Sequence, residues 1–98
     1  MFVMIKSFKD KDTESIYKNI NVKKYSKEIS KIALRKLIMI DAANALSDLK
    51  VPPGNRLEKL TGDKKGFYSI RINDQYRICF KPNSIGNEYY EVEICDYH

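Results

Sequence analysis

No stretch of this chain approaches the roughly 20 apolar residues that a membrane helix needs, and the opening Met1-Phe2-Val3-Met4-Ile5 is too short for the core of a signal peptide. A cytoplasmic protein with no membrane partner is the expectation, with Met4 as eligible a start codon as Met1. Cysteine is scarce: Cys79 and Cys95 each lie in an apolar segment without a near histidine or second cysteine. That ligand set builds no zinc site, so both read as small buried hydrophobes. A disulfide between neighbouring strands is conceivable, but a reducing compartment disfavours it. Histidine occurs once, as His98. Internal repeats and low-complexity tracts are absent, and 98 residues leave room for one compact domain, 1–98, with a modest core.

What is there describes a chain that folds. Hydrophobic residues make up 43% and charged residues 32%, which argues against intrinsic disorder. The net charge of +5 suits a polyanionic partner without proving one. Its distribution says more. Residues 56–81 hold seven basic residues (Arg56, Lys59, Lys64, Lys65, Arg71, Arg77, Lys81) against three acidic ones, whereas 88–98 hold four acidic residues and no lysine or arginine.

Phe2 to Phe8 reads as a first strand, and Asp12 to Asn19 as a short helix capped by Asp12 with Ile16 as its main buried contact. A longer helix is predicted after the cap residue Ser26, running to about Leu49, before Pro52-Pro53-Gly54 stops it. Ile29, Ile32, Ala33, Lys36/Leu37, Ile40, Ala43 and Leu46 recur along it at helical spacing, leaving Lys27, Lys31 and Arg35 wet. Lys27 and Lys31 are either an ordinary solvated face or a flank that rests on nucleic-acid phosphate by charge attraction.

Beyond the break the period changes to two. Arg56 to Leu60, Phe67 to Ile72, Tyr76 to Lys81 and Tyr89 to Cys95 read as four strands joined by short turns. The fold class is therefore α+β: an antiparallel meander of four to five strands with helices on one face. Alternation sends Ile70, Ile72, Ile78, Phe80, Val92 and Ile94 inward and Ser69, Arg71, Arg77, Cys79, Glu91, Glu93 and Cys95 outward. A three-residue connection at Asn73-Asp74-Gln75 then sets Arg71 opposite Arg77. Directly opposed like charges are unfavourable unless an anion or a carboxylate relieves them. Either a phosphate does so, or Glu91 or Glu93 forms an inconsequential salt bridge with Arg77.

The stretch Pro52-Pro53-Gly54-Asn55-Arg56-Leu57-Glu58, with Leu60, Gly62-Asp63 and Gly66, the block Tyr68 to Phe80, and the ending Asp96-Tyr97-His98 together resemble the HigB-type toxins of the RelE-like family. Ile5-Lys6-Ser7-Phe8 and Ala42-Ala43 through Leu46, Asp48 and Leu49 fit as well. The resemblance implies a RelE-like fold, a HigA-type helix-turn-helix antitoxin through which alone operator DNA is met, and ribosome-dependent cleavage of messenger RNA without metal or other cofactor. It matches Arg77 to a catalytic arginine and Asp96, Tyr97 and His98 to a functional carboxy-terminal triplet. Arg71 joins them on the face argument. Thr61 departs from a lysine common before Gly-Asp, for which Lys59, Lys64 or Lys65 are the candidate substitutes, with Lys59 alternating with Leu60 and the others in a turn. Arg56 belongs with these lysines as an RNA or ribosome contact.

The chemistry implied is attack of a ribose 2′-hydroxyl on the adjacent phosphate. It needs a base, an acid, and stabilisation of growing negative charge. Paired guanidinium groups suit the last task. His98 suits acid or base work, Asp96 and the terminal carboxylate would favour its protonated form, and Tyr97 would orient or stack on a base. Two rival readings are a noncatalytic RNA-binding module and a corepressor acting through the antitoxin.

Overall fold

A computed structural model describes residues 4–96. The beginning of the expected first strand and the side chains of Tyr97 and His98 lie outside the described residues.

Two helices and a four-stranded antiparallel sheet make up the fold: α1 (Lys11–Tyr17), α2 (Lys27–Ala42), β1 (Glu58–Lys59), β2 (Tyr68–Arg71), β3 (Tyr76–Pro82) and β4 (Tyr89–Asp96). The strands lie in the order β1-β2-β3-β4, the expected meander. Among the described residues no helix is long and apolar enough to cross a membrane.

The first helix starts one residue early. Asp10, not Asp12, is its cap, because the Asp10 carboxylate accepts the Thr13 N–H at 3.1 Å; Asp12 sits in the first turn, where its charge complements the exposed N–H groups. Ile16 is buried as expected, and buried Thr13 accepts the Ile94 N–H at 3.0 Å through its hydroxyl, fixing α1 to β4.

The second helix has the predicted cap, Ser26 accepting from the Ile29 N–H, and keeps Lys27, Lys31 and Arg35 exposed. It stops at Ala42 rather than near Leu49. Ala43 turns extended, the Asp48 carboxylate takes the Asn44 and Ala45 N–H groups at 3.1 and 3.2 Å, and a separate 3-10 turn covers Leu46–Lys50. Competition by a side-chain acceptor for backbone donors thus overrides a continuing apolar period. The β3–β4 loop presses on that turn: a Cβ at Gly86 would lie 2.8 Å from the Leu46 nitrogen.

Ala33, Leu37 and Ile40 of α2 pack with Leu49, Ile70, Ile78, Phe80, Tyr89 and Val92 in the core. Every residue assigned inward by alternation is buried. Lys36, in the same stripe, is buried too, and its ammonium bonds to the Asn55 side-chain oxygen. Burial, and then the charges of Arg35 and Arg71, hold Lys36 below the usual lysine range.

Among the described residues, the expected fifth strand is represented by two parallel bridges, Ile5 with Tyr89 and Phe8 with Val92. The cause lies in β4. Glu91 has φ 52 and donates its N–H to the Ser7 hydroxyl at 2.9 Å, and the β3–β4 register slips between Cys79 and Lys81. This bulge interrupts any regular ladder at that edge.

Asp41 at the end of α2 accepts the Met4 and Ile5 N–H groups at 2.7 and 2.9 Å and the Tyr17 hydroxyl. The hydrogen bond to Asp41, then burial and the carboxylate's charge, push Tyr17 up to about 12. A proton held more tightly in the folded chain stabilises it fully below pH about 10, and that contribution fades as the pH rises toward 12. Tyr17→Phe should therefore unfold more readily in urea at pH 8, by about 1 kcal/mol, with the gap to wild type closing between pH 10 and 12. A gap that stays constant with pH would refute the linkage.

Candidate functional site

The face of the sheet away from α2 is built by register. Glu58 pairs with Ser69, Ser69 with Cys79, and Arg71 with Arg77, so the predicted opposition of the two arginines is present. On the far side Arg77 pairs with Cys95 and Cys79 with Glu93.

This face is less open than alternation implies. Arg77 is only 6% exposed, Ser69 0% and Cys79 2%, a correction to the reading of a wholly exposed charged surface. The Arg77 guanidinium is seated by protein: its Nε donates to the Ser69 hydroxyl at 2.7 Å, and one Nη donates to the Arg56 carbonyl at 2.6 Å, with the Ser69 carbonyl at 3.5 Å. Glu58 lies 3.8 Å from the same Nη. Arg71 is half-buried and pairs with Asp74 in the turn.

The like charges are thus relieved by Glu58 and Asp74, not by Glu91 or Glu93. The bulge takes Glu91 out of the alternating set, and Glu93 pairs with Lys64 at 3.1 Å and Lys9 at 3.4 Å. The hydrogen bond to Glu93 raises the Lys64 ammonium above the usual lysine range.

The seat depends on Asn55, a residue to which sequence reasoning gave no role of its own. Asn55 is fully buried and donates to the Leu49 and Val51 carbonyls at 3.2 and 3.4 Å while accepting from Lys36. That peg fixes the loop after Pro52-Pro53-Gly54, and Arg56, with φ 47, turns its carbonyl to Arg77. An asparagine after Pro-Pro-Gly, where a polar turn residue can bond backbone groups, was the available signal.

Cys79 and Cys95 belong to this charged face, not to the hydrophobic core. Cys79 is buried, as expected of a small hydrophobe, Cys95 is half-buried, and neither forms a disulfide. The hydrogen bond between them lowers the Cys79 thiol from its ordinary range and, with burial, pushes Cys95 up. Among the described residues no three His, Cys, Asp or Glu side chains converge as a metal site.

The other candidates are scattered. Asp96 pairs with Tyr76, one step out of phase with Arg77, and its carboxylate accepts from Gln75 at 3.2 Å. Register puts Lys59 with Tyr68, on the face opposite Ser69, where it lines a groove with Leu46, Ser47, Lys50 and Leu57. Lys64 alone of the three lysine candidates is tied to the arginine face, through Glu93; Lys65 is exposed in the same connection. Lys27 and Lys31 line a depression between α1 and α2, with Ile16 and Leu34, in the helical layer. Tyr97 and His98 lie outside the described residues.

The family profile described as RelE-like toxin of type II toxin-antitoxin system HigB matches residues 6–98. Toxin HigB-1 of Vibrio cholerae serotype O1 is 46% identical over 79 residues, covering 80% of this chain and 83% of that protein. In fold, the chain is similar to the YoeB dimer of Staphylococcus aureus, with TM-score 0.61 at 23% identity over 100% of this chain and 99% of that one. The YoeB-YefM complex from the same organism gives TM-score 0.60 at 24% identity over 96% and 97%.

Proposed function

Because the chain belongs to the HigB-like group of RelE-like toxins from type II toxin-antitoxin systems, we propose that it cleaves messenger RNA on the ribosome and is neutralised by a HigA-type helix-turn-helix antitoxin. The single observation that carries the catalytic part is the register of Arg71 against Arg77. Two guanidinium groups are brought to one face, and one is held by three acceptors, the Ser69 hydroxyl at its Nε and the Arg56 and Ser69 carbonyls at one Nη.

In this reading the ribosome supplies the substrate's geometry. A 2′-hydroxyl gives up its proton and attacks the adjacent phosphate, the bond to the 5′-oxygen of the next nucleotide breaks and that oxygen takes up a proton, and Arg77 and Arg71 stabilise the charge that grows on the phosphate oxygens. A preorganised guanidinium does so without reorganising during the reaction. His98 moves the proton, Asp96 and the terminal carboxylate favour its charged form, and Tyr97 orients or stacks on a base. Since positioning two reactants can remove much of a barrier, a sparse site suffices on a ribosome-bound strand and fails on a free one. The net charge of +5 favours docking on ribosomal RNA. Arg56, Lys64 and Lys65 are the proposed contacts beside the site, with Lys59, Lys27 and Lys31 as contacts from other faces. The antitoxin partner is supported by the family and by the YoeB-YefM assembly, whose toxin shares this fold.

Purified protein added to a message under translation should give discrete cuts by primer extension, while the same message without ribosomes stays intact. Equal cutting of free message would overturn the ribosome's role, and an uncut translated message would leave the noncatalytic reading standing.

A further inference from the structure

Glu93 is the one acidic side chain that alternation places on the arginine face of β4 and that the bulge leaves there, yet it touches neither arginine in the ion pairs described above. Its Oε2 instead lies between two ammonium groups, Lys64 at 3.1 Å and Lys9 at 3.4 Å, delivered by the β1–β2 connection and by the segment before α1. The three side chains are 19%, 38% and 47% exposed, respectively. One carboxylate between two ammoniums leaves the cluster with net positive charge in contact with solvent.

We propose that Lys64 and Lys9 form a second phosphate-binding site beside the arginine pair, and that Glu93 gates it by occupying both ammonium groups until an RNA phosphodiester displaces the carboxylate. The inference rests on RNA being the substrate, but not on its cleavage.

Position supports the pairing of the two sites. Glu93 faces Cys79, two residues along β3 from Arg77 on the same side of the sheet. Residues so related are about 7 Å apart along a strand, so register sets the Glu93 cluster beside the arginine pair on one face of the sheet. Lys64 also lies over the Phe67 ring, 5.3 Å from its centroid, which keeps the ammonium near this face when its carboxylate partner leaves.

Energetics support exchange. Partly exposed ion pairs such as the two that Glu93 makes are worth little, so losing the carboxylate costs little, and a phosphodiester replaces its charge with further acceptor oxygens. Lysine suits such exchange because it presents a point charge on a flexible stem, unlike Arg77, whose guanidinium is fixed by Ser69 and Arg56. Glu93 thereby lowers affinity for any anion that cannot compete with it, and it sets how strongly the strand is held next to the arginines.

The test is binding of a short fluorescent single-stranded RNA, followed by anisotropy between 50 and 200 mM salt, to wild type, Glu93→Gln and Glu93→Gln with Lys64→Met. The isosteric glutamine should bind about 5- to 10-fold tighter at low salt, and its logarithmic salt slope should steepen by about 0.7 for each ammonium engaged. Adding Lys64→Met should return affinity to the wild-type level or below. Glu93→Gln binding that is unchanged, weaker or absent overturns the gate, as does a double variant as tight as the single one. Because no cleavage is read, tighter Glu93→Gln binding supports the gate even if translated message proves uncut, and cleavage by wild type stands even if the gate fails.

Discussion

Arg77→Ala should lower single-turnover cleavage of ribosome-bound message by about 100-fold or more, the usual loss when a preorganised donor to a developing oxyanion is removed. It should also lower stability, because the buried guanidinium satisfies the Ser69 hydroxyl and the Arg56 carbonyl. Leaving such partners unpaired costs about 1–3 kcal/mol. The two effects are separable. The rate is read with ribosomes saturating and at a temperature where circular dichroism shows the variant folded, so a population of unfolded chain does not masquerade as lost chemistry. Arg77→Lys adds a second arm: it keeps the charge but cannot reproduce the forked pair of bonds, and it should remain strongly impaired. A folded Arg77→Ala that cuts near the wild-type rate would reduce Arg77 to the strut that joins β3, β2 and the Arg56 loop.

His98→Gln should cost roughly 100- to 10,000-fold in the same assay, the range for a positioned general acid or base. Glutamine preserves chain length and leaves the terminal carboxylate in place, which deletion of His98 would move onto Tyr97. Thermal midpoint and ribosome affinity should hold at wild-type values. The wild-type rate should change with pH through an ionisation that the glutamine variant lacks, and that dependence should vanish in the variant. Near wild-type cleavage by His98→Gln would remove the proton-transfer role and leave the arginines and ribosomal positioning to explain the rate.

The legible part of this protein was the part governed by alternation. Once Ile70, Ile72, Ile78 and Phe80 had to share a face, the turn at Asn73 to Gln75 had only one length that fitted, and Arg71 opposite Arg77 followed. What alternation could not supply was any event that breaks it. The bulge at Glu91 depends on a hydrogen bond to Ser7, 84 residues away in sequence, so no local pattern announces it. The end of α2 was hidden because Ala43 and Leu46 continue the apolar period while Asp48 captures the backbone ahead of it. Burial of Arg77 was equally invisible: its cover comes from Arg56, and that loop is held by Asn55 and Lys36, a polar contact inside a stripe that periodicity reads as apolar.

The docking of the earliest described segment on the last strand has a consequence for how the chain comes together. Ile5 meets Tyr89, Phe8 meets Val92, and Thr13 holds Ile94, so although α2 offers the first helix one surface through Asp41 and Tyr17, its other side and the segment before it stay uncovered until β4 has been made. Contacts so far apart in sequence are slow to close. During synthesis β2 and β3 can pair as soon as both emerge, but the segment bearing Lys9 must wait for the strand bearing Glu93. Assembly of this edge is therefore a late, cooperative step, and a truncated nascent chain lacking β4 carries its arginines on a hairpin without the strand that bears Glu93 beside them.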